Sequence, residues 1–437
     1  MLFIQFLIQE GIIMQNSIQI KGGMPLYGEV KISGSKNAMS AVLPALTLIN
    51  SEEESVLGNV PDISDRRIHM NILEEIGLTT SYDKDTQTVH VKGKIQNNVL
   101  SEANVPKVRA SSLFLGALLA MTGEVHMPFC GGDQIGVRPL DIHFYVFDKF
   151  NIETKVENGY IHCHANTWPL QNATIYLSYP SVGATENALM LASKACGTTY
   201  IYNAASEPEI TDLAVALTKM GAKISGAGTP IIRVTGVQEF HPIHHEIIPD
   251  RLELCTYLFA FICTRGKGVI RGGIPEHCIS VLHTLIDAGV DIEYDSECVV
   301  VDATKGDFKP IRIKTLPYPG IPTDVQPLLS VFAVLCNGNS IIHDTVYKER
   351  FQYVNEFMKM GVEITQLYDH LWISGPQKFT QAIVHGCDIR AASALVLAAL
   401  CAQGDTTVNG WYHIQRGYEN FEEKLLALGA QIARIEE

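Results

Sequence analysis

EEIGLTTSYD (74–83), DKFNIETKVE (148–157), TKMGAKISGA (218–227), IDAGVDIEYD (286–295), MKMGVEITQL (358–367) and LALGAQIARI (426–435) are six copies of one pattern. Each closes an amphipathic helix, turns on one small residue, and opens a short alternating strand. The turn residues are Gly77, Asn151, Gly221, Gly289, Gly361 and Gly429, at intervals of 74, 70, 68, 72 and 68 residues. Glycine, and asparagine as its usual substitute, end helices because they tolerate the left-handed conformation.

A second element precedes each copy. The stretches KNAMSAVLPALTL (36–48), RASSLFLGALLAM (109–121), SVGATENALMLAS (181–193), RLELCTYLFAFIC (251–263), TDVQPLLSVFAVL (323–335) and DIRAASALVLAAL (388–400) are apolar nearly all round. Such helices belong in a core. Each repeat of about 70 residues therefore holds a buried helix, an amphipathic helix and several strands. Three units can close one domain, so six give two similar α/β domains.

The buried helices start at related positions, and a helix start offers N–H groups and a partial positive charge. Lys36, Arg109, Ser181, Arg251, Asp324 and Arg390 lie at or near these starts, while Arg138, Arg350 and Arg416 precede amphipathic helices. Basic groups thus recur in one topological corner. If the starts converge between two domains, they make a natural anion site. The guanidinium fork suits carboxylate and phosphate.

Composition narrows the class. The chain has 437 residues, 46% apolar and 18% charged, with a net charge of −14. That is an ordinary globular composition, and the acidic balance argues against a nucleic-acid partner. Ten cysteines stand without a CxxC pair, as expected of reduced thiols in a cytoplasmic protein. His241, His244, His245 and Glu246, like His162, Cys163 and His164, read as strand and loop polar residues, because no second ligand pair stands at zinc-like spacing. No cofactor or metal is expected. No segment offers about 20 uninterrupted apolar residues, so no membrane span is read. The apolar start, residues 1–13, lacks a cationic region and reads as a tail or over-extended start, with the first strand from Ser17.

Ten motifs in order carry a family resemblance. SGSKNA (33–38), NVPDISD (59–65), GGDQIGVRPLDIH (131–143), PSVGATEN (180–187), EPEITD (207–212), PDRLE (249–253), PTDVQ (322–326), ERFQYV (349–354), DIRAAS (388–393) and YHIQRGYE (412–419) resemble the motif series of the UDP-N-acetylglucosamine 1-carboxyvinyltransferase family. The resemblance implies two inside-out α/β domains, each of three pseudo-symmetric repeats. It places one domain over 38–248 and the other over 14–37 plus 249–437. The related shikimate-pathway enzymes have Lys-Ser where this chain has Lys36-Asn37, and an arginine soon after that is missing here.

The resemblance implies transfer of the enolpyruvyl group of phosphoenolpyruvate to the 3-hydroxyl of UDP-N-acetylglucosamine, the first committed step of peptidoglycan synthesis. Lys36, Arg138 and Arg416 match phosphate ligands, and Arg350 with Arg416 the carboxylate clamp. Arg109 and Arg390 match further basic positions. Asp324 matches the carboxylate at the sugar hydroxyl, as base or orienter. Asn37 and Val346 match sugar contacts, Arg138, Leu140 and Asp141 the uridine side, and Ser181, Val182 and Gly183 the diphosphate loop.

One departure concerns the loop PFCGGDQIGVR (128–138). Many members have cysteine three residues before the glycine of the IG pair, and fosfomycin alkylates it. Here Asp133 stands there, which implies a carboxylic acid as proton donor and insensitivity to fosfomycin. Gly131 and Gly132 suit a mobile loop. Tyr179 and Lys348 also depart from the common pattern. They leave open another nucleotide-sugar or nucleoside acceptor, and the lost cysteine leaves open a non-catalytic regulatory paralogue. The oligomeric state is not legible.

Overall fold

The computed structural model describes residues 17–133 and 135–435. The apolar residues 1–13 lie outside the described residues. The six turn residues all adopt positive φ: 106° at Gly77, 57° at Asn151, 119° at Gly221, 95° at Gly289, 82° at Gly361 and 98° at Gly429. The repeat is therefore a backbone requirement at each of its turns.

Each repeat follows one order: strand, buried helix, parallel strand, amphipathic helix, hairpin. The segment 174–235 shows it without interruption. Thr174–Tyr176 leads into the helix Val182–Lys194, then the strand Thr198–Tyr202, the helix Pro208–Met220, and the hairpin Lys223–Ser225 and Ile231–Thr235. Thr198–Tyr202 runs parallel to Thr174–Tyr176 and antiparallel to Ile231–Thr235. Five four-stranded sheets and one three-stranded sheet repeat this scheme among the described residues. In the three-stranded sheet an isolated parallel bridge, Val99 to His126, stands in for the first strand.

Two compact units result. One comprises 34–133 and 137–248; the other comprises 17–33, 135–136 and 249–435. Each is closed by a strand from far along the chain. In the first, His244–Glu246 pairs parallel with Ser51–Gly58 and supplies the strand that should precede the helix Lys36–Ala45. In the second, Tyr27–Lys31 pairs parallel with Lys267–Arg271, and Ser17–Lys21 fills the hairpin position beside Gln431–Arg434. Glu253 fastens this unit where its segments meet. It accepts from the Ser33 amide at 2.7 Å and from Lys424 Nζ at 2.6 Å.

Each unit wraps its own core. The helix Arg251–Cys263 is buried at every position, and Ile389–Cys401 at all but its last. A full turn of apolar residues finds partners on all sides only inside three surrounding sheets, and each buried Leu or Phe contributes roughly 1.5–3 kcal/mol.

The helix starts differ from the expectation of uniformly open N–H groups. Ser35 and Ser181 cap their helices by accepting from the Ala38 and Ala184 amides. Asp250 accepts from Leu252 and Glu253, and Asp388 from Arg390 and Ala391. Arg109 and Asp324 lie instead in 3-10 turns, Arg109–Ser112 and Thr323–Val325, ahead of the α-helices. Each cap takes up one or two amides that an anion would otherwise use, so anion binding is shared between the remaining amides and the side chains.

Candidate active site

In the unit 34–248, the positive charge is built around fixed carboxylates. Lys36 opens the helix Lys36–Ala45, and its Nζ lies 3.1 Å from Asp65 Oδ2, which is buried. Asn37 donates from Nδ2 to Glu209 Oε1 at 3.4 Å. The ammonium and the amide are thus held side by side at one helix start.

The basic pair Arg109 and Arg138 forms a second group. Arg109 Nη2 donates to the Pro139 carbonyl at 3.1 Å, which ties the 3-10 turn to the loop before the helix Asp141–Lys149. Leu140 is buried and Asp141 opens that helix. Burial, then the charges of Arg109 and Arg138, hold the His143 pKa down to about 3. The ring is neutral at physiological pH. Asn187 Nδ2 donates to its Nδ1 at 2.8 Å, so the proton sits on Nε2. A Cβ on Gly183 would meet His143 Cε1 at 2.8 Å. Gly183 is therefore required by contact, and His143 shapes the 181–183 turn.

Asp133 is half-buried in the loop that follows the strand Glu124–Pro128. The glycines before it have a packing reason. A Cβ on Gly131 would lie 1.8 Å from the Pro106 carbonyl oxygen, and one on Gly132, at φ 112°, 2.8 Å from Arg109 Cβ. The loop backbone thus lies directly on the turn that carries Arg109. Cys130 is buried, and burial pushes its thiol up despite the opposing Arg109 and Arg138 charges. Glu186 is buried beside Glu209 and Glu207; burial first, then those charges, raise its pKa to about 8.

In the other unit the centre is Asp324. Arg350 Nη2 lies 3.0 Å and Arg390 Nε 3.4 Å from its Oδ1. Burial disfavours its charge, but the two guanidiniums win and hold the carboxyl well below the usual range. Both arginines are themselves buried. Arg350 also donates to Thr323 Oγ1 at 3.3 Å and lies 3.7 Å from Asp388. Arg390 Nη1 donates to Tyr418 Oη at 3.0 Å. Arg416 is half-buried in the last turn of the helix Trp411–Gly417, two residues from Tyr418.

The residue that sequence reasoning missed is Asp344. It is fully buried and accepts four bonds: from Thr315 Oγ1 at 2.8 Å, Thr323 Oγ1 at 2.7 Å, and the Val346 and Tyr347 amides at 3.0 and 2.9 Å. It therefore locks the turn carrying Asp324 to the loop carrying Val346. The only sequence signal was an aspartate between an apolar strand and a loop. His245, by contrast, is a strand residue held 3.0 Å from buried Asp212, and Cys163 is in the core.

The chain matches the EPSP synthase (3-phosphoshikimate 1-carboxyvinyltransferase) family model over residues 20–425. It is 42% identical over 421 residues to UDP-N-acetylglucosamine 1-carboxyvinyltransferase 1 of Staphylococcus epidermidis, covering 96% of this chain and 99% of the relative. The corresponding protein of Staphylococcus aureus gives the same identity and coverage. Among solved structures, the enolpyruvyl transferase NikO from Streptomyces tendae superposes with a TM-score of 0.86 at 23% identity, covering 96% of this chain and 99% of that one. EPSP synthase from Acinetobacter baumannii gives 0.72 at 15% identity, covering 96% and 100%. The chain belongs to the EPSP synthase (3-phosphoshikimate 1-carboxyvinyltransferase) family of enolpyruvyl transferases and, within it, groups with the UDP-N-acetylglucosamine 1-carboxyvinyltransferases.

Proposed function

We propose that this enzyme transfers the enolpyruvyl group of phosphoenolpyruvate to the 3-hydroxyl of UDP-N-acetylglucosamine and releases phosphate. The observation that carries the reading is identity across nearly the whole length with proteins named for that activity. The reaction is the first committed step of peptidoglycan synthesis, and we assign it to the cytoplasm. No helix among the described residues is long and apolar enough to cross a membrane.

The chemistry is an addition followed by an elimination. The sugar oxygen bonds to C2 of phosphoenolpyruvate and its hydroxyl proton passes to the phosphate, while C3 gains a proton from a carboxyl. C3 then returns a proton to that carboxylate as the C2–O bond breaks and hydrogen phosphate leaves. The phosphate and carboxylate need fixed positive charge throughout, which Lys36, Arg138 and Arg416 supply in our reading. Asp324 stays ionised between Arg350 and Arg390. A carboxylate so stabilised is a weak proton acceptor, which makes it an orienter of the sugar hydroxyl more than a reservoir for its proton. The Val346 amide is held by Asp344, so its sugar contact runs through the carbonyl. Asn37 reads the sugar beside Lys36, and Ser181, Val182 and Gly183 take the diphosphate.

Asp133 is the proton donor to C3. A carboxyl donates at neutral pH only when shielded from water and set beside negative charge. The bound phosphate dianion supplies that charge.

Phosphate release is the test. It should require both reactants together, and omission of either should abolish it. Tight binding of UDP-N-acetylglucosamine with no phosphate release at any pH would move the protein to a regulatory role.

A further inference from the structure

A cluster outside the reaction centre has ligand chemistry of its own. The strand Gly338–His343 pairs antiparallel with His370–Gly375, and the register sets His343 directly opposite His370. Their rings stack with centroids 3.9 Å apart and planes 17° apart. Asp369, at the turn, faces both: Oδ2 lies 3.3 Å from His343 Nε2, and Oδ1 lies 2.7 Å from His370 Nδ1. One donor atom from each of the three residues falls within 4.8 Å of the others. All three side chains are one-third exposed or less, so an ion can reach them and water can complete its shell.

We propose that His343, Asp369 and His370 form a binding site for a divalent first-row transition cation such as zinc, cobalt or nickel. Two imidazole nitrogens and one carboxylate oxygen are the donor set that these ions prefer. Calcium and magnesium demand oxygen shells that the site does not provide. Metal–ligand bonds of about 2.0–2.2 Å place donor atoms roughly 3–3.5 Å apart. The two carboxylate contacts, 3.3 Å and 2.7 Å, lie close to that spacing, and a small rotation of the partly exposed rings closes the nitrogens. The ion takes the place of the protons now shared between each ring and Asp369. Each ring then binds the ion through a nitrogen that carries no proton.

The site rests on a stiff support. The Asp344 amide donates to the Asp369 carbonyl at 2.9 Å, and Trp372 stacks on His370. Asp344, next to His343, is the carboxylate that anchors the 323–325 turn.

The experiment titrates the full-length protein, freed of metal by a chelator, with Co2+ and then Zn2+. Co2+ should give visible ligand-field bands without the near-ultraviolet band of a thiolate ligand, and Zn2+ should displace it. Occupancy should raise the melting temperature. His343→Gln and His370→Gln should each weaken binding by at least about tenfold, the scale already reached when only an outer partner of a ligand is lost. Melting curves in chelator will show that both variants are folded. A thiolate band, or Co2+ affinity unchanged in His343→Gln and His370→Gln, overturns the proposal.

Discussion

Asp324 and Asp133 are asked to do opposite things. Asp324 is held between Arg350 and Arg390 and stays charged. Asp133 must carry a proton when substrate is bound. Asp133→Asn should therefore abolish phosphate release while leaving UDP-N-acetylglucosamine affinity near normal by calorimetry. Asp133→Cys should make the enzyme sensitive to fosfomycin, because a thiolate is a good nucleophile and a carboxylate a poor one. Covalent inactivation of the unaltered protein would contradict both assignments. Cys130 is no substitute target, since burial pushes its thiol up. Asp344 makes a second prediction. Asp344→Asn puts an N–H donor where the carboxylate now accepts, from two hydroxyls and two amides. A buried donor without an acceptor costs about 1–3 kcal/mol. Because it frees the Asp324 turn, kcat/KM should fall by roughly ten- to hundredfold, chiefly in kcat. Unchanged kinetics would mean that the turn keeps its place without Asp344.

At the scale of elements, Asn187 joins three helices. It is fully buried in Val182–Lys194. Its Oδ1 accepts from the Gly116 amide at 2.9 Å, and its Nδ2 donates to the Ser112 carbonyl at 3.2 Å and to His143 Nδ1. Asn187→Ala leaves three polar groups without that partner and should lower stability by about 2–4 kcal/mol, read by denaturant unfolding. A loss below about 0.5 kcal/mol would show that water or a neighbour replaces the amide. Much at this scale was legible. The six turns demand positive φ, a demand that selects Gly or Asn and so writes the repeat into the sequence. The buried helices were legible for the same reason: burial on all sides excludes nearly all charge beyond the first turn, Glu186 being an exception. What stayed hidden depends on register. His343 and His370 stand 27 residues apart and meet only through strand pairing. Asp344 is an ordinary aspartate until its four donors are placed. The strand character of His244–Glu246 is legible, but its pairing is not, because its partner Ser51–Gly58 lies nearly two hundred residues earlier.

For the whole molecule, two buried carboxyls, one in each unit, respond to pH in opposite directions. Asp324 has a lowered folded pKa, so its contribution is present above the unfolded value and is lost as pH falls through the folded one. Glu186 has a folded pKa raised to about 8. Its contribution is full below the unfolded value and is lost as pH rises through about 8. Glu186→Gln should therefore melt close to the unaltered protein at pH 5 and above it at pH 9. Equal pH dependence in both proteins would mean that Glu186 ionises without penalty. The central claim, however, is the acceptor, and the identity of the product tests it most directly. Incubated with phosphoenolpyruvate and UDP-N-acetylglucosamine, the protein should yield one new species by proton NMR, with a pair of vinyl signals on an ether at the sugar 3-oxygen and one phosphate released per molecule. Shikimate 3-phosphate should yield nothing. Vinyl product from shikimate 3-phosphate, or none from the UDP-sugar, would contradict the account.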